Sequence, residues 1–352
     1  MSFLLEKHKS LPVYVPGDHE EGGSIIRLNT NESPYPPSPG VAAAVAVEID
    51  SLQFYNDPDC TKIKAALAKT YGVGEKNVTV TNGSDELLYF AFMAFADEAH
   101  PIALPDVTYS YYDLFAGALG IPMEKIPLKD DFTVDYRDYC GIGKMIVLAN
   151  PNAPTGYAIP LWQIEEILKT NPQNVVLIDE AYVDFGGESA LKLTETYDNL
   201  LVVRTFSKSR SMAGARIGFG FGAEGIIADV ETIRNAVNLY SVSRMAQAAG
   251  VAALNENEYY MENCQRIISA REYTIKMLRE QGFEVLDSLG NFVFAKPTGM
   301  GAAALKAQLA ERGILVRHWD KPRVKDYLRI TIGTMQQMQA LDAAIEMIFG
   351  RA

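Results

Sequence analysis

The stretch Leu201-Val202-Val203-Arg204-Thr205-Phe206-Ser207-Lys208-Ser209-Arg210-Ser211-Met212-Ala213-Gly214-Ala215-Arg216-Ile217-Gly218-Phe219 decides how this chain is read. The apolar run Leu200 to Val203 reads as a buried strand. It passes directly into a polar, basic turn from Thr205 to Arg210, then into small residues, Arg216 and a second apolar run, Ile217 to Phe221. One reading is a basic surface loop between two strands. The other is chemical. A lysine at the end of a buried strand, among hydroxyls and arginines, is placed to lose its proton: a free lysine titrates at about 10.4, and burial and neighbouring cations lower that value. A neutral lysine forms Schiff bases. The hydroxyls and Arg216 are suited to hold a phosphate.

Composition narrows the choice. The chain has 352 residues, 48% hydrophobic and 22% charged, enough for one large domain and a smaller one. Its net charge of −12 argues against a nucleic-acid partner. Cys60, Cys140 and Cys264 are odd in number and far apart, which fits neither a disulfide framework nor a metal cluster and points to a reducing cytoplasm. The N-terminal residues lack the apolar core of a signal peptide, and no run approaches the roughly 18 apolar residues of a membrane span. No metal and no membrane is expected.

Working outward, strand-like runs at 77–81, 101–104, 123–127, 144–149 and 174–178 alternate with helical stretches, the signature of an α/β fold with a mostly parallel sheet. Several of these strands end in polar residues. Asn82-Gly83-Ser84-Asp85-Glu86 opens a helix whose N-terminus offers a phosphate site, although Ser84 as an N-cap with acids behind it explains the same residues without a ligand. The acids would repel a phosphate unless a cation such as Arg216 joins them. Asn150-Pro151-Asn152-Ala153-Pro154-Thr155-Gly156 makes a rigid turn where ligands bind in open α/β sheets. Asp179, directly after an apolar strand, needs a partner: a cationic ring nitrogen, a buried arginine or backbone N–H groups. Tyr109, Tyr111 and Tyr112 are core or interface residues, or one of them stacks on a flat ring. From Ser243 to about Gly282 one long spine helix is expected. The last part of the chain reads β-β-α-β-β-α, with Arg317 and Arg329 in or beside its strands, either paired internally or aimed at an anion.

Leu28-Asn29-Thr30-Asn31-Glu32, Asn82 to Glu86, Asn150 to Gly156, Asp179-Glu180-Ala181-Tyr182, Thr205-Phe206-Ser207-Lys208 and Leu328-Arg329-Ile330-Thr331-Ile332-Gly333-Thr334 stand in this order. The series resembles the fold-type-I, class II pyridoxal-phosphate-dependent aminotransferases, and more narrowly the histidinol-phosphate aminotransferase family, from about Tyr14 to the C-terminus. The resemblance implies a large three-layer α/β/α domain at 41–250, a smaller α+β domain at 251–352, and an arm at 1–40 that joins the small domain and a dimer interface. It implies pyridoxal 5'-phosphate as cofactor, Lys208 as Schiff-base lysine and proton shuttle, Asp179 on the ring nitrogen, Tyr182 on the ring hydroxyl and Tyr109 on the ring face. Ser84, Asp85, Ser207 and Arg216 would hold the phosphate, joined by Tyr55 from the neighbouring subunit of a homodimer with shared sites. Arg329, with Arg317, Tyr14 and Asn29, would bind the anionic group of the substrates. The family's turn has Asn directly before Pro-Thr-Gly. This chain has Ala153 there, so either Asn152 reaches the ring or Tyr182 carries that contact alone, and Asn152 is the expectation.

The implied reaction is transamination between L-histidinol phosphate and 2-oxoglutarate, giving imidazole-acetol phosphate and glutamate. An aromatic amino-acid aminotransferase or a decarboxylase of a phosphorylated amino acid would use the same cofactor shell. A ligand-sensing aminotransferase-like module would need an attached DNA-binding segment, for which the chain has no spare residues.

Overall fold

Two sheets carry the architecture of the computed structural model, which describes residues 3–5, 8, 9, 11 and 25–350. The first strand, β1 (Ile26–Leu28), belongs to the smaller sheet. The next seven form the larger one: β2 (Val78–Thr81), β3 (Ile102–Pro105), β4 (Met123–Ile126), β5 (Met145–Ala149), β6 (Val176–Asp179), β7 (Leu200–Thr205) and β8 (Gly218–Phe221). Their order is β2-β8-β7-β6-β5-β3-β4. β8 runs antiparallel to both neighbours, and the other pairings are parallel. From β3 the chain steps outward to β4, then returns past β3 to β5 and continues to β6 and β7. That reversal opens a crevice at the strands' C-terminal ends, where ligands bind in such sheets.

The sheet is covered on both faces. Side chains alternate along a strand, and the core divides accordingly. Leu200 and Val202 of β7 face a cluster that includes Ile63, Leu67, Ile164 and Ala249. Leu201 and Val203 face another that includes Leu87, Leu88, Tyr112 and Val230. The first layer is drawn from α1 (Pro39–Ile49), α2 (Thr61–Tyr71), α5 (Leu161–Thr170) and α7 (Arg244–Asn255). The second comes from α3 (Ser84–Phe95), α4 (Tyr111–Leu119) and α6 (Glu224–Val237). This is the expected three-layer α/β/α arrangement. Truncating one such core residue to alanine costs about 2–5 kcal/mol, so β7 delivers the Thr205–Lys208 turn from a rigid base.

The expected spine is two helices, not one. α7 stops at Asn255 and α8 (Asn257–Glu280) begins after Glu256, whose backbone leaves the helical region at φ −106°, ψ 36°. Asn255-Glu256-Asn257 is weak helical sequence, because asparagine side chains compete for backbone groups. The break places the Glu256 carboxylate against the Gly40 amide at the start of α1, 3.0 Å away.

Beyond α8 the expected β-β-α-β-β-α order is found: β9 (Glu284–Val285), β10 (Phe292–Lys296), α9 (Ala302–Ala310), β11 (Ile314–His318), β12 (Leu328–Thr331) and α10 (Met335–Phe349). The small sheet has the order β1-β11-β12-β10-β9, with β1 parallel to β11. The N-terminal strand is thereby fixed to the C-terminal part of the chain. Among the described residues no helix is long and apolar enough to cross a membrane.

Candidate active site

The C-terminal ends of β5, β6 and β7, the N-terminus of α3 and the loop after β1 enclose a cavity of about 200 Å³. Ser84, Asp85, Tyr109, Asp179, Tyr182, Ser207, Lys208 and Arg216 all line it, so the residues picked from separate stretches of sequence share one space. Thr30, Glu32, Ala149, Ala153, Ala181, Thr205 and Ala213 complete the wall.

At one end, α3 starts with Gly83 as N-cap and no side-chain cap. Ser84 is therefore the first helical residue, not the cap its identity suggested. The first-turn N–H groups of a helix have no helical partner, and with the helix dipole they favour an anion. Two glycines let the rest of this end close up. Gly83 lies at φ +83°, and a β-carbon there would sit 2.6 Å from Arg216 Nη2. A β-carbon on Gly218 would come within 2.2 Å of the Gly83 carbonyl carbon. The repulsion expected from Asp85 is answered locally: its Oδ2 accepts from Arg216 Nη2 at 3.0 Å and its Oδ1 from the Tyr109 hydroxyl at 2.9 Å. Burial, then the Asp85 charge, pushes the Tyr109 phenol well above its usual range, so it stays a donor.

In the middle lies Asp179, 4% exposed. Strand alternation separates it from its neighbour. Asp179 faces the cavity, whereas Glu180 turns away to an ion pair with Arg204 at 2.9 Å. Asp179 Oδ2 accepts from the Tyr112 hydroxyl at 2.8 Å, and Oδ1 from the Ala181 amide at 3.1 Å. Burial pushes its pKa up from 3.8 to about 6 against these two hydrogen bonds. Lys208 Nζ donates to the Thr30 carbonyl at 3.4 Å and lies 5.7 Å above the centre of the Tyr182 ring. Ser207 Oγ accepts from the Thr205 hydroxyl at 2.9 Å.

Tyr182 is held by a residue that the sequence reading passed over. Asn31, 1% exposed and at φ +56°, donates from Nδ2 to the Tyr182 hydroxyl at 2.9 Å. Its Oδ1 accepts from Thr331 Oγ1 of β12 at 3.0 Å. The loop after β1, the end of β6 and the small sheet are thus tied at one point. The neighbouring Asn29 contributes its carbonyl, which accepts from Arg329 Nη2 at 2.8 Å. Tyr14 lies outside the described residues.

Asn152, expected at the ring, is engaged within its own turn. Its Oδ1 accepts from Thr108 at 2.8 Å, and its Nδ2 donates to the Val107 carbonyl and Thr155 Oγ1, both at 3.0 Å. All its amide atoms hold the turn together, and the side chain borders a different cavity behind it. Ala153 lines the cavity beside Tyr182, whose hydroxyl is bonded by Asn31.

A second cavity, of about 120 Å³, meets the first at Tyr109 and Ala153. Its far wall is Trp319, Lys321, Pro322, Val324 and Arg329 from the C-terminal part of the chain. Arg317 and Arg329 are register partners on β11 and β12. Their guanidinium carbons stand 5.3 and 5.2 Å from the Trp319 ring centre. Arg329 borders the cavity itself; Arg317 reaches it through Trp319. Neither Trp319 nor Tyr112 was singled out from sequence. Trp319 is one of two tryptophans, and Tyr112 is the buried member of the Tyr109–Tyr112 run.

An amine, a buried carboxylate and an anion-holding helix end in one cavity suit a chain that moves amino groups on a phosphorylated ring. Residues 23–345 match the family described as aminotransferase class I and II, and the chain belongs to that family. It is 44% identical over 349 residues to the histidinol-phosphate aminotransferase of Brachyspira hyodysenteriae, with 99% of each chain covered. It is 46% identical over 348 residues to that of a Marinomonas species, with 98% of this chain and 99% of the relative covered. Its backbone is similar to the crystal structure of histidinol-phosphate aminotransferase from Sinorhizobium meliloti in complex with pyridoxal-5'-phosphate. The TM-score there is 0.87 at 26% identity, covering 100% of this chain and 99% of that one.

Proposed function

We propose that the chain transfers an amino group between L-histidinol phosphate and 2-oxoglutarate, giving imidazole-acetol phosphate and glutamate, as a step of histidine biosynthesis with pyridoxal 5'-phosphate as cofactor. The observation that carries this is the convergence of Lys208, Asp179 and Arg216 on one cavity that shares Tyr109 and Ala153 with a second one bordered by Arg329. The donor set fits the cofactor. The α3 amides at Ser84 and Asp85, with Ser207 and Arg216, form an end for a phosphate. Asp179 is a buried carboxylate in want of a cation.

When bound, the cofactor supplies an electron-accepting ring and carries the amino group between two half-reactions. The rest falls to the chain. Lys208 Nζ would hold the cofactor and, as a free amine, would move the proton at the donor's carbon. Asp179, ionised at neutral pH, keeps the ring nitrogen protonated. Tyr182, steadied by Asn31, would hold the ring hydroxyl, and Tyr109 would cover one face of the ring. Arg329, with Arg317 behind Trp319, takes the phosphate of one substrate and the carboxylate of the other in turn, assisted by Tyr14 and Asn29.

The site is shared between two copies in this reading. Tyr55 is 81% exposed and stacks on Tyr240 at 4.8 Å. Val47, Ile49, Leu52 and Phe54 are exposed beside it in sequence, and apolar clusters of this kind mark interfaces. Free cysteines at 60, 140 and 264 agree with a cytoplasmic setting.

Steady-state assays with different amino donors test the reaction. The kcat/KM for L-histidinol phosphate should exceed that for phenylalanine by at least about a hundredfold, the worth of one or two charge-assisted hydrogen bonds. A preference for phenylalanine or tyrosine would reassign the chain to aromatic amino acids, and release of carbon dioxide from a phosphorylated amino acid would make it a decarboxylase.

A further inference from the structure

The segment between β11 and β12 supplies Trp319, Lys321, Pro322 and Val324 to the second cavity, and Arg323, in their midst, does not line it. Arg323 crosses to the large sheet's side of the molecule. Its Nη1 donates to Asp106 Oδ2 at 2.6 Å, and its Nη2 donates to the carbonyls of Leu128 and Lys129 at 3.0 and 2.8 Å. Its guanidinium carbon lies 5.4 Å from the centre of the Phe132 ring. Asp106 is the first residue after β3. Its other oxygen, Oδ1, accepts from the Leu128 amide at 2.9 Å. The carboxylate therefore joins the ends of β3 and β4 to the far segment.

Stability does not account for this arrangement. The two side chains are 30% and 24% exposed, and ion pairs that water reaches contribute little. Arg323 also holds φ at +68°, a region that costs a non-glycine residue energy and persists where surrounding contacts over-determine it. The bonds fix a position. Val324, next in sequence, packs into a small apolar cluster with Leu128, Phe132 and Phe294, so the segment is anchored on both sides of its turn.

We propose that Arg323 and Asp106 form a clasp that positions the 319–324 segment, and through it Trp319 and Lys321, as the specificity-determining wall against the amino donor. Arg323 is a positioning residue: it does not border the cavity, whereas Asp106 does, so the KM effect is read from Arg323→Ala. The inference rests on the reading above that the second cavity takes the donor.

The test uses the holoenzyme with Trp162→Phe, which leaves Trp319 as the sole tryptophan. Adding Arg323→Ala should shift Trp319 emission to longer wavelength, as the freed ring meets water. It should raise KM for the donor about tenfold while kcat changes less than about threefold, since misplacing a binding wall weakens binding before chemistry. The visible band of the Lys208-bound cofactor and the thermal midpoint should stay in place. Arg323→Lys should restore part of the KM, because one ammonium satisfies fewer of the three acceptors. Asp106→Asn, nearly the same shape, should reproduce the emission shift and serves if Arg323→Ala folds poorly. Unchanged emission in both variants with unchanged KM in Arg323→Ala would overturn the clasp, as would loss of the cofactor band in step with KM. If another amine proves to be the donor, the function above is wrong, but the emission shift still decides the clasp.

Discussion

The two cavities that meet at Tyr109 and Ala153 are built in different ways. The first is made from the ends of buried strands and a helix N-terminus. Two of its groups, Asp179 at the end of β6 and Lys208 in the turn after β7, stand where buried apolar strands end. The second is made largely from segments between strands: the turn after β3 on one side, and 319–324 with Arg329 on the other. Its groups are held by single side chains, such as Arg323 and Trp319. A strand end fixes a residue by the packing of a whole sheet, whereas a loop fixes it by a few polar bonds. The first construction suits chemistry that every substrate shares, the second a choice among substrates.

That contrast can be broken by substitution. In the strand-end cavity, Asp179→Asn should lower kcat at least about a thousandfold, because a preorganised charge in a water-poor site outweighs most single contacts. It should also remove a pH dependence. Burial raises the Asp179 pKa to about 6. The carboxyl thus contributes stability to the cofactor-free chain below about pH 4, and loses it as pH rises through about 6. A cationic ring nitrogen prefers the ionised form, so cofactor affinity should fall as pH drops through about 6 in the wild type and stay flat in Asp179→Asn. Equilibrium titration of the cofactor's visible absorbance across this range checks both signs. At the second cavity, Arg329→Ala, on the β12 side of its wall, should cost about a hundredfold in kcat/KM, the scale of a lost charge-assisted contact. The loss should strike both half-reactions, with the visible band in place. A loss confined to one amino donor would show that the arginine is not shared.

The same contrast explains what could be read in advance. Asp179 stood out because a charged residue directly after an apolar strand is costly without a purpose, and Lys208 and Arg216 because they stand in the polar stretch between two apolar runs. The large sheet was legible from its alternation of apolar runs and helices. The break at Glu256 was not, since a helical pattern continues across it and a tertiary contact to Gly40 decides it. The partners of Asn152 were not legible for a related reason. An asparagine in a turn has local partners within reach, and here Thr108, Val107 and Thr155 take all of its amide atoms. Asn31 was invisible because its partners, Tyr182 and Thr331, lie far away in sequence.

The account stands most directly on Lys208. Borohydride reduction of the holoenzyme, which fixes the cofactor to whichever lysine carries it, followed by peptide mapping, would locate the attachment atom. The account predicts the added mass on the peptide containing Lys208 and none after Lys208→Ala, a variant that should fold normally and lose turnover by about four orders of magnitude. Attachment to another lysine, or turnover near the wild-type rate without Lys208, would contradict it.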